Sequence, residues 1–457
     1  MTGGKLLIAS NRLPVSIAAQ GDELALDRSI GGVATALDAI YKRYDATWVG
    51  WTGLRHVLGQ GELKRLRFPK RMVPVQADAK LVEHYYDHLT NRVLWPSFHN
   101  IKPRYRAVID DWAGLREIAH RFAAVIKENV TSRDLIWVHD YHLILLPAAL
   151  RELGMTNKIG YFWHTPFPMP KFMLQLAQHE ELLSSLYELD MLGLQTEHDV
   201  DNFWACMKAI ESKRQPGLVR AFPIGIDFAS YHGAVRRPAV RTLSEEIEAK
   251  YADKQMILSI SRLDYTKGIP NQLRAVARFL ERKTPTERKR FVYKLVVAPS
   301  REDVIEYREL KEEISALVTE INESLSSGRW KPIEYEYENF DFADMAAWYG
   351  AAEVLLLLPK YDGMNLIAKE FIAVQRSGKS VLVLSNTTGS AAQLGDALLV
   401  DPEDIDAAAA ALDQAFAMPR YEREARWERM LEVVSEQDVF WWADRFITAL
   451  KSAPHYH

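Results

Sequence analysis

The segment MILSISRLDYTKGIPNQLRAVARFLERK, residues 256–283, holds one complete strand–loop–helix unit. Met256–Ile260 is a short apolar run, as expected of a strand buried on both faces. Asn271–Lys283 carries Leu273, Val276, Phe279 and Leu280 at helical spacing. Between them, Ser261–Gly268 supplies Arg262, Lys267 and a glycine just past the strand's carboxyl end. Open parallel sheets bind ligands at that end. Two cations there suit a diphosphate leaving group; a charged loop with an internal ion pair to Asp264 is the plainer alternative.

The same rhythm extends in both directions. Downstream, Tyr293–Ala298, Ile333–Tyr337, Val354–Leu358, Val381–Leu384 and Ala397–Val400 read as strands. Ile305–Leu325, Phe342–Gly350, Leu366–Arg376 and Ile405–Ala417 read as the helices between them. Upstream, strands are expected at Leu6–Ser10, Thr47–Trp51, Leu135–His139 and Ile159–His164. Helices are expected at Gly32–Tyr44, Trp112–Val130 and Leu143–Leu153. Such alternation implies parallel sheets covered on both faces, and two runs of it imply two doubly wound domains. The boundary is expected after Phe222–Asp227, with Tyr231–Arg241 irregular and Leu243–Lys250 a polar helix. Asp438–Lys451 is a Trp-rich helix.

The 457 residues suit two or three domains, and 48% hydrophobic with 26% charged residues is ordinary for globular chains. A net charge of −4 argues against non-specific nucleic-acid binding. The single Cys206 excludes an internal disulfide and a Cys-based zinc site, and it fits the cytoplasm. No long apolar run or secretory leader is evident, so no membrane partner is expected. Twelve Trp among many aromatics suit either core packing or sugar stacking.

Phosphate-loop and dinucleotide glycine fingerprints are missing. Gly31-Gly32 opens a helix, where backbone N–H groups suit an anion; taken alone, a simple turn is the better reading. Ser10-Asn11-Arg12 ends the first strand, and Arg12 suits a bidentate phosphate contact or a surface ion pair. His139-Asp140-Tyr141-His142 and His164-Thr165-Pro166-Phe167-Pro168 end two more strands. Their spacing is not that of a helical zinc motif, and a polar sugar pocket fits better. Asp362-Gly363-Met364-Asn365-Leu366 precedes a helix with Glu370 one turn in. That arrangement suits phosphates and a ribose, although Glu370 alone reads equally as a solvated helix residue.

Together with Trp95-Pro96-x-Phe98-His99 and Pro299-Ser300-Arg301, these motifs resemble the trehalose-6-phosphate synthase family of retaining glycosyltransferases, nearly end to end and in family order. The resemblance implies an α/β GT-B fold: two Rossmann-like doubly wound domains facing a central cleft, with a C-terminal helix crossing back to the first. Residues 1–228 with 438–457 would bind the acceptor, and residues 229–437 the nucleotide sugar. It implies transfer of glucose from UDP-glucose to glucose 6-phosphate, giving trehalose 6-phosphate and UDP. Arg12 and Arg301 would hold the acceptor phosphate beside Trp51, Tyr86 and Trp95. Asp140 and His164 would contact the donor sugar, and Asp140 would also border the acceptor. Arg262, Lys267 and Gly32 would meet the diphosphate. Asp362, Gly363, Met364, Asn365 and Leu366 would cradle the donor, and Glu370 would bind ribose. No carboxylate pairs with Asp140 as a two-carboxylate retaining mechanism needs, so the leaving phosphate would act as base. No cofactor or metal is required on this reading. The partners are small molecules, and self-association stays open.

Three places depart from the family pattern: Lys360-Tyr361, Asn386-Thr387-Thr388 and Phe342. They leave nucleotide and acceptor preference open. A glucosylglycerol-phosphate synthase or pseudo-glycosyltransferase on the same scaffold is the alternative. A non-catalytic sugar-phosphate sensor would lack leaving-group cations, which Arg262 and Lys267 supply.

Overall fold

The computed structural model describes residues 4–20, 23–28, 32–211 and 216–455. The chain divides into two compact units, Met1–Ile224 with Val439–His457, and Gly225–Asp438.

The first unit contains β1 (Leu6–Arg12), β2 (Val15–Gln20), β3 (Glu23–Arg28), β4 (Thr47–Trp51), β5 (Met72–Val75), β6 (Leu135–His139), β7 (Ile159–Phe162), β8 (Met191–Leu194) and β9 (Leu218–Ala221). Seven of these form one parallel sheet in the order β5-β4-β1-β6-β7-β8-β9, and β2 and β3 form an antiparallel hairpin. The chain runs outward from β1 in one direction, then in the other from β6. β1 and β6 are neighbours, with Ser10 in register with His139. Their carboxyl ends form the topological switch point, the usual ligand position in such sheets.

The C-terminal helix Val439–Ser452 packs on this sheet. Phe446 stacks on Trp137 at 4.4 Å, and Trp442 lies 5.0 Å from the same ring. A Cβ on Gly193 would sit 2.6 Å from Phe446, and one on Gly160 would sit 2.8 Å from Leu450. The glycines in β7 and β8 are therefore the seats of this helix. Lys158 Nζ ties down its end through the carbonyls of Lys451 and Ala453, both at 2.7 Å.

The second unit contains β10 (Gln255–Arg262), β11 (Phe291–Ala298), β12 (Ile333–Glu336), β13 (Val354–Leu357), β14 (Val381–Ser385) and β15 (Leu398–Val400). They form one parallel sheet in the order β12-β11-β10-β13-β14-β15. Alternate residues feed two cores. Ile257, Leu295 and Leu356 enter one, and Leu258, Val296 and Leu357 enter the other. Each such buried side chain contributes roughly 1.5–3 kcal/mol, which explains why these strands are apolar without alternation. The switch point lies between β10 and β13.

The segment expected to be irregular after residue 230 is instead two helices, Phe228–Ala234 and Pro238–Lys250. Asp227 caps the first by accepting from Ser230 N at 3.1 Å, and Pro238 occupies a first-turn position where its missing N–H costs nothing. The helix expected from Trp112 begins at Ile109, because Asp111 closes back on Val108 N. Among the described residues no helix is long and apolar enough to cross a membrane.

Candidate active site

In the first unit the predicted residues gather at the β1/β6 switch point. Ser10 Oγ accepts from Trp48 Nε1 at 2.8 Å and donates to Arg12 O at 2.8 Å, which fixes the strand end. The Arg12 guanidinium lies 4.7 Å over the Trp51 ring. Gly53, at φ +87°, makes room for it, since a Cβ there would sit 2.3 Å from Arg12. Trp51 meets Tyr86 edge-on at 5.4 Å, and Tyr86 stacks with His142 at 6.0 Å. Trp95 packs on His99 at 4.0 Å and Tyr141 at 6.0 Å. Tyr86 sits on a π-helical segment, Glu83–Leu94, whose wider winding continues into Trp95, with Trp95 N donating to Thr90 O. Gly32 begins the helix Gly32–Arg43; its neighbour Gly31 lies outside the described residues.

Asp140 stands at φ +69°, ψ 158°, a region where only glycine is comfortable. The neighbourhood enforces it. Asp140 N donates to Phe162 O at 2.8 Å, and Tyr161 Oη donates to Asp140 O at 2.5 Å. The carboxylate accepts from His164 N at 3.3 Å and lies 3.6 Å from His142 Nδ1. Burial opposes its ionisation, but His142, His164 and the Tyr141 amide together hold its pKa below the ordinary carboxyl value. The strained turn therefore presents a fixed negative charge.

Behind it, His139 Nδ1 and His164 Nε2 lie 3.1 Å apart, both rings buried. Burial lowers the His164 pKa to about 4 and the His139 pKa well below its ordinary value. Both rings are thus neutral in the folded protein near pH 7. An unfolded imidazole binds a proton near pH ~6.5. Between there and about pH 4 the unfolded chain holds more protons, so stability falls as pH falls. The melting temperature of the first unit is expected to drop across that window. A His139→Gln, His164→Gln double variant should lose much of that slope. An unchanged slope would remove the pair as its origin.

In the second unit the loop after β10 folds around Asp264, which is fully buried. Asp264 accepts from Thr266 N at 3.0 Å and Thr266 Oγ1 at 2.9 Å, and lies 3.9 Å from Arg301 Nη1. Burial opposes its charge, yet Arg301, Arg262 and Lys267 hold its pKa below the usual range. Asp264 is the shared counter-charge of three predicted cations, a role the sequence reading gave it only as a possible loop ion pair. Lys267 Nζ reaches Asp362 Oδ2 at 2.6 Å, and Asn365 Nδ2 reaches the same oxygen at 3.2 Å. This joins the β10 loop to the β13 loop across the switch point. Asn365 is left-handed (φ +67°) and caps the helix Leu366–Val374 by accepting from Ala368 N. Gly363 and Met364 lie against Gly389 and Ser390, with Ser390 N donating to Met364 O at 2.9 Å. A Cβ on Gly389 would sit 1.9 Å from Gly363 O.

Glu370 is buried among tyrosines, with Tyr349 Oη donating to its Oε2 at 3.1 Å and Tyr231 bonding it too. Burial raises its pKa. Phe342 packs on Tyr231 at 5.0 Å and under Arg237 at 4.8 Å, so this departure supports the tyrosine behind Glu370. Lys360 N donates to Thr266 O at 2.7 Å, and Thr387 Oγ1 donates to Pro359 O at 3.1 Å. The other departures are thus built into the same loops. Next to Glu370, the buried Lys369 donates to Gln393 Oε1 at 2.7 Å, and burial lowers its pKa to about 7. Neither Lys369 nor the tyrosine pair was singled out from sequence; no spacing marks them.

A model of glycosyltransferase family 20 matches residues 4–452. The chain is 33% identical over 468 residues to the UDP-forming alpha,alpha-trehalose-phosphate synthase of Botryotinia fuckeliana, covering 98% of this chain and 88% of that protein. A solved structure of trehalose-6-phosphate from E. coli bound with UDP-2-fluoro glucose is similar at TM-score 0.88 and 30% identity, over 98% of this chain and 99% of that one. A UDP-forming alpha,alpha-trehalose-phosphate synthase from Burkholderia xenovorans, solved in complex with glucose-6-phosphate, is similar at TM-score 0.86 and 30% identity, over 98% of this chain and 100% of that one.

Proposed function

The chain belongs to glycosyltransferase family 20, with its GT-B architecture, and from that premise we propose that it transfers glucose from UDP-glucose to glucose 6-phosphate with retention. The products are alpha,alpha-trehalose 6-phosphate and UDP. The observation that carries the residue assignment is the charge at the two switch points: Arg12 and Asp140 in the first unit, and Arg262 and Lys267 around Asp264 and Asp362 in the second.

Residues 1–228 with 438–457 bind the acceptor, and residues 229–437 the donor. Arg12 takes the acceptor phosphate, its guanidinium plane fixed by Trp51, with Tyr86 and Trp95 packing beside the sugar. Arg301 contributes to the same phosphate. Asp362 borders the donor sugar, and Gly363, Met364, Asn365 and Leu366 offer backbone N–H groups to the donor at a helix start. Glu370 accepts from the ribose hydroxyls, and Gly32 approaches the diphosphate.

In the reaction, the bond from glucose C1 to the UDP oxygen breaks and its electron pair goes to the β-phosphate. The acceptor hydroxyl bonds to C1 from the same face, and its proton passes to a phosphate oxygen. The protein supplies charge and position: Arg262 and Lys267 meet the charge growing on the leaving oxygen, and Asp140 and His164 orient the sugar. Neutral His164 donates or accepts without adding a positive charge beside Asp140.

The test is a panel of UDP-, ADP- and GDP-glucose against glucose 6-phosphate and glycerol 3-phosphate, scored by nucleotide release. The UDP-glucose and glucose 6-phosphate pair is expected to turn over fastest. Release with glycerol 3-phosphate in place of the hexose phosphate would overturn the acceptor.

A further inference from the structure

We propose that His84, His88 and Asp111 form a binding site for a divalent transition metal of the zinc class, joining the segment Glu83–Leu94 to the helix Ile109–Asn129. His84 Nδ1 lies 2.8 Å and His88 Nδ1 3.3 Å from the same atom, Asp111 Oδ1. All three ligand atoms fall within 4.8 Å of one another. Ligands of a tetrahedral zinc with bonds of ~2.0–2.2 Å stand about 3.3–3.6 Å apart, so small side-chain rotations suffice.

The carboxylate is prepared for this role. Asp111 is fully buried, and its other oxygen is held by Tyr105 Oη at 3.0 Å and Val108 N at 2.9 Å. Oδ1 is therefore aimed at the two rings. Burial opposes its charge, but the His84 ring, with Val108 N, Tyr105 and His88, holds its pKa below the ordinary value. The close approach rests on Gly114, where a Cβ would meet His84 Cβ at 3.1 Å. The imidazoles remain partly exposed, 19% and 27%, which gives an ion an aqueous route and a water as fourth ligand.

The chemistry balances without proton loss. Each ring that now donates from Nδ1 to Asp111 moves its proton to Nε2 and offers the Nδ1 lone pair to the ion. Glu83, 4.0 Å from His88 Nε2, adds negative charge outside the ligands, and Arg92 over the Tyr105 ring opposes it. The imidazole pair with one carboxylate suits zinc, cobalt or nickel better than magnesium or calcium. The site is structural. Tyr86 lies between the two histidines on the same segment, so an ion fixes the winding that presents it.

Titration of zinc chloride into chelator-stripped protein, followed by calorimetry, is expected to show one saturable site per chain. Cobalt chloride should give the visible bands of a tetrahedral ion. His84→Gln and His88→Gln should each weaken zinc binding at least about 100-fold and abolish the zinc-dependent rise in melting temperature. Both side chains are partly exposed, so both variants should fold. Absence of stoichiometric binding to the unaltered protein, or an affinity unchanged from it in both variants, would overturn the proposal; in either case the histidines would serve only as hydrogen-bond partners of Asp111.

Discussion

Alanine in place of Arg262 is expected to lower turnover roughly 10- to 150-fold, the equivalent of about 1.5–3 kcal/mol for a contact to a charged group. Arg262 is the last residue of β10, paired in register with Ala298 of β11, so its position is set by an eight-residue strand and not by a loose loop. Its charge helps keep the buried Asp264 ionised. That arrangement stores a cation at the switch point beside the Lys267–Asp362 pair. If the contact strengthens as charge leaves the sugar, most of the loss appears in kcat and little in the KM for UDP-glucose. Arg262→Lys should recover part of it. The fold should survive, because Arg301 and Lys267 remain to balance Asp264. Arg301→Ala is the comparison: its loss should fall on the KM for glucose 6-phosphate, about tenfold. Near-normal turnover by folded Arg262→Ala would remove this residue from the mechanism. Equal losses for both substrates in Arg301→Ala would move Arg301 from the acceptor phosphate to the diphosphate.

How much of this was readable in advance follows from where the chain buries apolar surface. β10, β11 and β14 are apolar runs because both faces are covered, and a run of that kind is visible without an alignment. The helices Ile305–Leu325 and Ile405–Ala417 matched to the residue because each carries one apolar face. β8 is hidden because its apolar run is four residues between Asp190 and Gln195, whereas the run of β7 continues through Trp163. The helix Arg420–Glu436 carries no continuous apolar face in the sequence, because nine of its seventeen residues are charged and Met430 and Val434 are its buried side chains. It is held by these side chains with Trp427 and Leu431 against the core, by Trp427 Nε1 donating to Ile372 O at 3.1 Å, and at the surface by ion pairs such as Arg429–Asp396.

The site shows the same division. Strand ends told where Arg12, Asp140, His164, Arg262 and Asp362 lie, since each follows an apolar run. Sequence could not tell which charges share a partner. Asp264 sits two residues from Arg262 and 37 from Arg301, and only the fold brings all three together. The His84–Asp111 cluster joins residues 27 apart; its local signal is the His84 and His88 pair four residues apart, the helical spacing that His139 and His142 lack.

Gly268→Ala is expected to destabilise the second unit strongly. Gly268 stands at φ +64°, and a Cβ would lie 2.0 Å from Leu358 O. That oxygen is backbone at the end of β13, so it cannot swing aside as a side chain would. The left-handed conformation alone costs an alanine roughly 1–2 kcal/mol. The clash adds to it, because either β13 or the loop must move. The loop is held to β13 by Lys360 N donating to Thr266 O at 2.7 Å, and by the Lys267–Asp362 contact one residue before the glycine. Moving it separates that pair and displaces Lys267. A loss above about 3 kcal/mol, or roughly 6–12 °C in the melting temperature of a unit this size, should therefore accompany loss of turnover. Gly328→Ala separates the two causes. Gly328 has nearly the same angle, φ +65°, but nothing lies within 4 Å of its Cβ position. It should cost only the conformational part and leave turnover intact. Equal melting losses for the two variants would mean that backbone angle, and not the contact with Leu358, makes glycine necessary beside Lys267.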